Sequence, residues 1–377
     1  MNFIKRLFTP VEPLPEGVHH RQDVQDGKPY RLHLRLAKDG SGVLVVNAAT
    51  VLHLNPTAAE YAYHFIRGSE PEKAAAEVAA RYRVAPASAL ADFHEFSDRI
   101  HTLLSTPDLD PVSFLDFDRA SPHSAELDAP LRLDCAITYA LPEGAKGGYS
   151  PVKRVDRELT PPEWMQVLDK AWAAGIPHIT LTGGEPTLRP DLPDLIAHCE
   201  ANGQVCGLLT DGLRLADPGY LDTLLQTGLD HAMLVLQPAN PASWGAIETI
   251  LPADLFLTVH LTATAANVKD CPGFIRRLQE MGVRNLSLSA AAAGLGGEIQ
   301  ELHDLAAALN LTLRWDLPVP YSEANPVTLE TKEDRVPTGA GRAWLYVEPD
   351  GDLLPAQGLA DQVLGNLLRD PWEKIHP

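Results

Sequence analysis

The residues best equipped to move a proton are three carboxylates at what read as the ends or faces of buried strands. Glu185 follows two glycines in "ITLTGGEPTLRPDL" (179–192), Asp211 lies in "LLTDG", and Asp134 lies in "LRLDCAI". Acids held at strand ends can act as an acid–base set, and each singly has a plainer role as a hydrogen-bonded structural acid. Gly183 and Gly184 offer no side chain, so something packs close against that backbone. Other chemistries are thinly supplied. Cys135, Cys199, Cys206 and Cys271 are scattered, no two within four positions of each other, which excludes a disulfide scaffold and short-spaced thiolate metal motifs. There is no HExxH helix, and His178, His198, His231 and His260 read as core or strand-end residues.

These acids need a scaffold, and the chain after residue 129 supplies one. Strands are predicted at 131–138, 177–182, 205–210, 231–236, 255–262 and 285–289, with helices near 161–174, 191–202, 217–227, 243–250, 270–282 and 297–310. Such β-α alternation predicts a parallel sheet with right-handed crossovers. Six units give an open partial (β/α)6 barrel of the TIM type, with ligand sites at the C-terminal ends of its strands. "GGEP" and "TDG" both fall at such ends. The last stretch, with "PDG" near 349–351, predicts a hairpin and a terminal helix.

Ahead of the barrel a smaller unit is expected. "GVLVVNAATVLHLN" (42–55) predicts a hairpin. Asn55 and Pro56 open a helix that Gly68 ends, "SEPE" starts a second with Ser69 and Glu72 as a capping box, and a third spans about 87–104. This is a winged-helix-like α+β arrangement. The predicted division is a tail at 1–27, the small domain at 28–105, a Pro- and Asp-rich linker at 106–128, the barrel at 129–320 and a C-terminal extension at 321–377.

Across 377 residues, 45% are hydrophobic and the formal net charge is −19. So acidic a chain lacks the basic stripe of a nucleic-acid binder and the cationic patch that adheres to anionic lipid. No apolar run reaches a membrane span, and the opening "MNFIKRLFTP" breaks at Pro10 before a signal-peptide core forms, so a cytoplasmic protein is expected. The 32 prolines suggest short, rigid loops.

"LTGGEPTLRPDLPDLI" resembles the glycine-glutamate-proline motif of radical S-adenosylmethionine enzymes, in the subgroup that modifies ribosomally made peptides. "LLTDGLRL" is similar to the "TNG" segment that follows it there, with Asp211 for the usual Asn. "YVEPDGDLLPAQGL" with a later "LGN" resembles their C-terminal extension, although Ala356 stands where a cysteine is usual. Residues 42–104, with "VLHLNPTAAE", resemble the peptide-chaperone (PqqD-like) domain of pyrroloquinoline quinone biosynthesis. The resemblance spans about 300 residues, in order.

It implies a CxxxCxxC loop after the first strand, whose thiolates hold a four-iron cluster. Here Leu141, Ala145 and Gly148 occupy the three cysteine positions, and none of these side chains can bind iron. A 4Fe-4S cluster is therefore expected to be absent. The resemblance implies an S-adenosylmethionine site at Gly183, Gly184, Glu185, Pro186, Thr210 and Asn267. Binding there is expected to be weak, because the iron chelate is missing and "HAMLVLQPAN" lacks the serine usual for the ribose. It further implies that Val43, Val45, Leu52, Tyr61 and Phe65 grip an incoming peptide by strand addition.

The expected function is a cluster-less pseudoenzyme that binds a precursor or leader peptide, or a partner modifying enzyme, in ribosomal-peptide modification or cofactor maturation. The alternative is an iron-independent enzyme that binds S-adenosylmethionine or another small molecule at the barrel mouth, with Glu185, Asp211 and Asp134 as acid–base candidates. The third reading is an active radical enzyme with a non-standard cluster site.

Overall fold

The computed structural model describes residues 12–47, 50–106, 129–143, 155–314, 317–320 and 339–375. The chain divides into two compact units, Met1–Asp128 and Ala129–Pro377. Within the described residues of the first, four antiparallel strands come first and three helices follow. β1 (Gly17–Gln25), β2 (Lys28–Leu36), β3 (Gly42–Val46) and β4 (Thr50–Leu54) pair in sequence order, and α1 (Pro56–Ile66), α2 (Pro71–Tyr82) and α3 (Pro86–Ser105) close one face.

Two expectations change here. Residues 17–25 are a strand rather than part of a tail, paired with β2 from Gly17↔Leu36 to Gln25↔Lys28. The turn between them is Asp26-Gly27, both with positive φ (52° and 78°), the two-residue turn whose twist matches a hairpin. The second helix is capped by Glu70, not Ser69. Pro71 takes the first helical position, and the Ser69 hydroxyl is spent on His64 Nδ1 at 3.2 Å. Asn55 does cap α1, accepting from Ala58 N at 2.9 Å.

The second unit carries β5 (Arg132–Thr138), β6 (His178–Gly183), β7 (Val205–Thr210), β8 (His231–Val235), β9 (Phe256–Ala263) and β10 (Asn285–Ala290), all parallel and in sequence order. Between them run α4 (Pro161–Ala173), α5 (Leu192–Asn202), α6 (Pro218–Gln226), α7 (Pro241–Ile250) and α8 (Cys271–Met281), and α9 (Gly296–Ala308) follows β10. A two-residue β11 (Thr312–Leu313) adds to β10. The result is an α/β fold built on an open, parallel, barrel-type sheet.

The C-terminal segment does more than form a hairpin. β12 (Trp344–Val347) pairs in parallel with β5, and β13 (Asp352–Leu354) and β14 (Gly365–Asn366) follow, so one sheet runs β11-β10-β9-β8-β7-β6-β5-β12-β13-β14. The helices α1 to α8 all carry proline in their first two positions. There it removes no hydrogen bond and presets φ, which puts part of the proline content at helix starts.

Side chains alternate between two layers. Leu133, Cys135, Ile137, Ile179, Leu181, Cys206, Leu208, Val259 and Leu261 pack with the helices in the main core. The opposite faces, turned to the barrel lumen, carry a polar set that includes Asp134, Thr180, Thr182, His260 and Ser287, all buried. Among the described residues no helix is long and apolar enough to cross a membrane.

Candidate functional site

The glycines of "GGEP" are required by the chain itself. Gly183 has φ +126°, and a Cβ there would lie 2.0 Å from the carbonyl oxygen of Thr138; a Cβ on Gly184 would lie 2.1 Å from that of Ala140. The same approach makes two hydrogen bonds, Gly184 N to Thr138 O and Glu185 N to Ala140 O, each 2.8 Å. What packs against this strand end is the segment leaving β5. Arg189 locks it from outside: its guanidinium donates to Ile137 O at 2.8 Å and grips Asp191 through two bonds, of 3.0 and 2.6 Å.

Glu185 then bridges the ends of β6 and β7. Its Oε1 accepts from Thr187 N (3.0 Å), Thr187 Oγ1 (2.5 Å) and Thr210 Oγ1 (2.7 Å), and its Oε2 accepts from Asp211 N (2.7 Å). Burial, followed by the nearby Asp211 carboxylate, raises its pKa to about 7 against the pull of those donors. Burial also raises Asp211, whose Oδ1 accepts from Leu213 N at 2.9 Å. Burial therefore biases both of these like acids, on neighbouring loops, toward their protonated forms.

Asp134 does not join them. It is buried on β5, paired by two bonds (2.8 and 3.0 Å) with Arg132, and stands opposite Thr180 and Tyr346 in the ladder. It lies four residues, about 13 Å of strand, below Thr138, so the expected three-carboxylate set reduces to a pair. Of the other expected ligand-binding residues, Pro186 begins a single 3-10 turn over Pro186–Leu188. Thr210 Oγ1 also accepts from Gly212 N at 3.0 Å. Asn267 closes the loop after β9, accepting from Thr264 N (2.8 Å) and donating to Thr262 O (3.1 Å). The polar groups suited to a ligand's amino group are largely occupied by the chain.

Of the positions aligned with cluster ligands, Leu141 is half-buried just beyond Ala140, while Ala145 and Gly148 lie outside the described residues. Leucine, alanine and glycine supply no donor to iron, so these three positions do not fit a cluster. The four cysteines are free and buried. Cys135 and Cys206 face the helices, and Cys199 and Cys271 lie in the same core. Among the described residues no three His, Cys, Asp or Glu side chains converge as a metal site.

A second polar group lines the lumen on β9 and β10. His260 Nδ1 lies 3.0 Å from Ser287 Oγ, and its Nε2 lies 3.0 Å from Ser289 Oγ and 3.1 Å from Thr262 Oγ1. The alternation in "TVHLTA" and "SLSA" put these residues on one face of two strands. Only the ladder, with Ser287↔His260 and Ser289↔Thr262, shows that they meet.

In the first unit, Leu52, Tyr61 and Phe65 belong to the core with Leu34, Leu44, Val78 and Ile100. All three are packed in that core, Leu52 from β4 and Tyr61 and Phe65 from α1, where their apolar area is removed from water. Val43 is half-buried and Val45 buried on the opposite face of the sheet.

Over residues 135–309 the chain matches the family model of the radical SAM superfamily. This segment is related to that superfamily. Among curated relatives, a PqqA peptide cyclase of Methylorubrum extorquens (strain PA1) is 30% identical over 179 residues, 43% of this chain and 46% of that protein. The match thus spans less than half of that relative's length. A PqqA peptide cyclase of Streptomyces rochei is 26% identical over 277 residues, 66% of this chain and 75% of that protein. In fold, the chain is similar to Streptococcus suis SuiB bound to S-adenosylmethionine, with TM-score 0.59 and 16% identity over 93% of this chain and 87% of that one. SuiB bound to precursor peptide SuiA gives TM-score 0.59 and 14% identity over 94% and 88%.

Proposed function

We propose that this chain is a cluster-less radical-SAM-like protein that binds a peptide, either a precursor's leader or a segment of a partner modifying enzyme, through its N-terminal unit. The observation that carries the reading is the donor set: Leu141, Ala145 and Gly148 stand at the three aligned cysteine positions in an otherwise recognisable sequence. Two further features support it. Glu185 and Thr210 bond across two loops and Asn267 closes its own, so these strand ends hold their shape without a ligand. Among the described residues the N-terminal sheet ends on two strands, β1 and β4, each with one neighbour in the sheet, and a strand edge is the template for peptide addition. On this reading the N-terminal unit, from β1 through α3, is a PqqD-like domain, and the protein works in the cytoplasm in peptide modification or cofactor maturation.

The test has two arms. Anaerobic reconstitution with iron and sulfide should leave less than one cluster per chain, read as iron content and a visible spectrum. Titrating precursor peptides and neighbouring modifying enzymes onto the full chain should give one saturable complex. A stoichiometric brown cluster sinks the first half of the reading, and no saturable binding to any of them sinks the second.

The acid pair motivates a second reading, an iron-independent small-molecule site. Asp211, half-buried at the mouth beside the fully bonded Glu185, offers a carboxyl group for a small ligand's donor. S-adenosylmethionine at millimolar concentration should then raise the melting midpoint. An unchanged midpoint removes this reading.

A further inference from the structure

We propose that Ser289 is a nucleophile activated by His260, making the β9–β10 side of the barrel mouth an acyl-transfer site for an ester or thioester. This goes beyond peptide binding and stands independently of it. The site lies outside the Glu185 bridge, on a different pair of strands.

The argument begins with the ring. His260 is 1% exposed, and both its nitrogens face hydroxyls across 3.0–3.1 Å. With Nδ1–H donating to Ser287 Oγ, the Nε2 lone pair points at Ser289 and Thr262. A nucleophile in reach of a base, itself oriented by a third group, is the constellation that activates a hydroxyl.

Two hydroxyls compete for Nε2, and their surroundings separate them. Thr262 is 4% exposed, whereas Ser289 is half-buried, one residue before the C-terminal end of β10. That end of a parallel barrel is where substrates enter. Thr262 Oγ1 lies 3.4 Å from Ser289 Oγ, a second polar neighbour for the same hydroxyl.

The step balances with water as co-reactant. Ser289 Oγ bonds to the acyl carbon while its proton passes to His260 Nε2. The tetrahedral adduct expels the alcohol or thiol, which leaves with that proton. Water, deprotonated by the same nitrogen, then frees the acid and restores Ser289.

The experiment treats the full chain with a fluorophosphonate, which phosphonylates activated serines, and maps the adduct by peptide mass. One adduct on Ser289 is expected. Its formation should slow about 100-fold or more in folded His260→Gln, the scale of a lost general base, and stay unchanged in His198→Ala, a half-buried histidine on α5 paired with Asp169. Ser287→Ala should slow labelling and Ser287→Thr restore it, marking Ser287 as a positioning residue. No adduct on Ser289 in the folded, unaltered chain overturns the proposal. So does equal labelling of Ser289 in a folded His260→Gln chain.

Discussion

The mouth and the floor of the barrel solve one problem with opposite chemistry. At each, two like ionisable groups brought together by neighbouring strands sit side by side, and a glycine nearby permits close packing. At the mouth Glu185 and Asp211 meet, and Gly183 admits the backbone of Thr138. At the floor His178 Nε2 lies 2.6 Å from His231 Nε2, and a Cβ on Gly207 would strike the His231 ring at 2.0 Å. Burial pushes the acid up and the histidines down, with His231 near 4 and Arg132 adding to the effect. Both pairs are therefore biased toward neutrality, and they give pH slopes of opposite sign over nearly the same range.

The glycines offer the sharpest way to break this likeness. Gly183→Ala forces a Cβ into fixed backbone at a left-handed φ and should cost about 3 kcal/mol or more, read from denaturant unfolding of the barrel unit. A cost under 1 kcal/mol would mean that the 138–140 segment yields. Glu185→Ala should follow at about 2–3 kcal/mol, because it strands Asp211 N and the buried Thr187 and Thr210 groups. Gly207→Ala should cost less than Gly183→Ala, about 1–2 kcal/mol, since a histidine ring can swing where a peptide cannot; equal costs would show that the ring is locked.

The pH dependence gives the smallest effects and the clearest signs. Glu185 keeps its proton up to about 7, against an ordinary 4.5. Between those values the unfolded chain alone releases a proton, so this group's contribution falls as pH rises. His231 charges only near 4, against an ordinary 6.5, so its contribution falls as pH drops through that window. Asp211→Asn should weaken the fall in stability with rising pH by about 1 kcal/mol, a melting shift of about 2–4 °C. His231→Phe should remove the opposing rise and leave a steeper fall as pH increases through the same range. Thermal melts from pH 4 to 8 check both, and a variant that changes the slope in the wrong direction refutes the assignment.

Much of the barrel was legible because every second residue of its strands is apolar and the helices between them carry a proline in their first two positions. Glu185 and Asp211 were legible as strand-end acids in short motifs. Asp134 misled because sequence shows a residue's strand but not its height on it; its partner is Arg132, two residues away on the same face. The hairpin Gly17–Gln25 with Lys28–Leu36 was missed although Asp26-Gly27 announces it, because His19, His20 and Arg21 make the strand read as polar tail. His260, Ser287 and Ser289 escaped for another reason: they lie 27 to 29 positions apart, and only register brings them together.

β12 carries one more consequence. Trp344–Val347 lies along β5, and Lys170 of α4 donates to the carbonyls of Leu367 and Asp370. The last residues therefore act as a selvedge, sealing the side of the fabric where weaving began. Cutting them away would bare the hydrogen-bonding groups of β5, an invitation to stick to neighbouring copies, so the barrel's working boundary runs past residue 366.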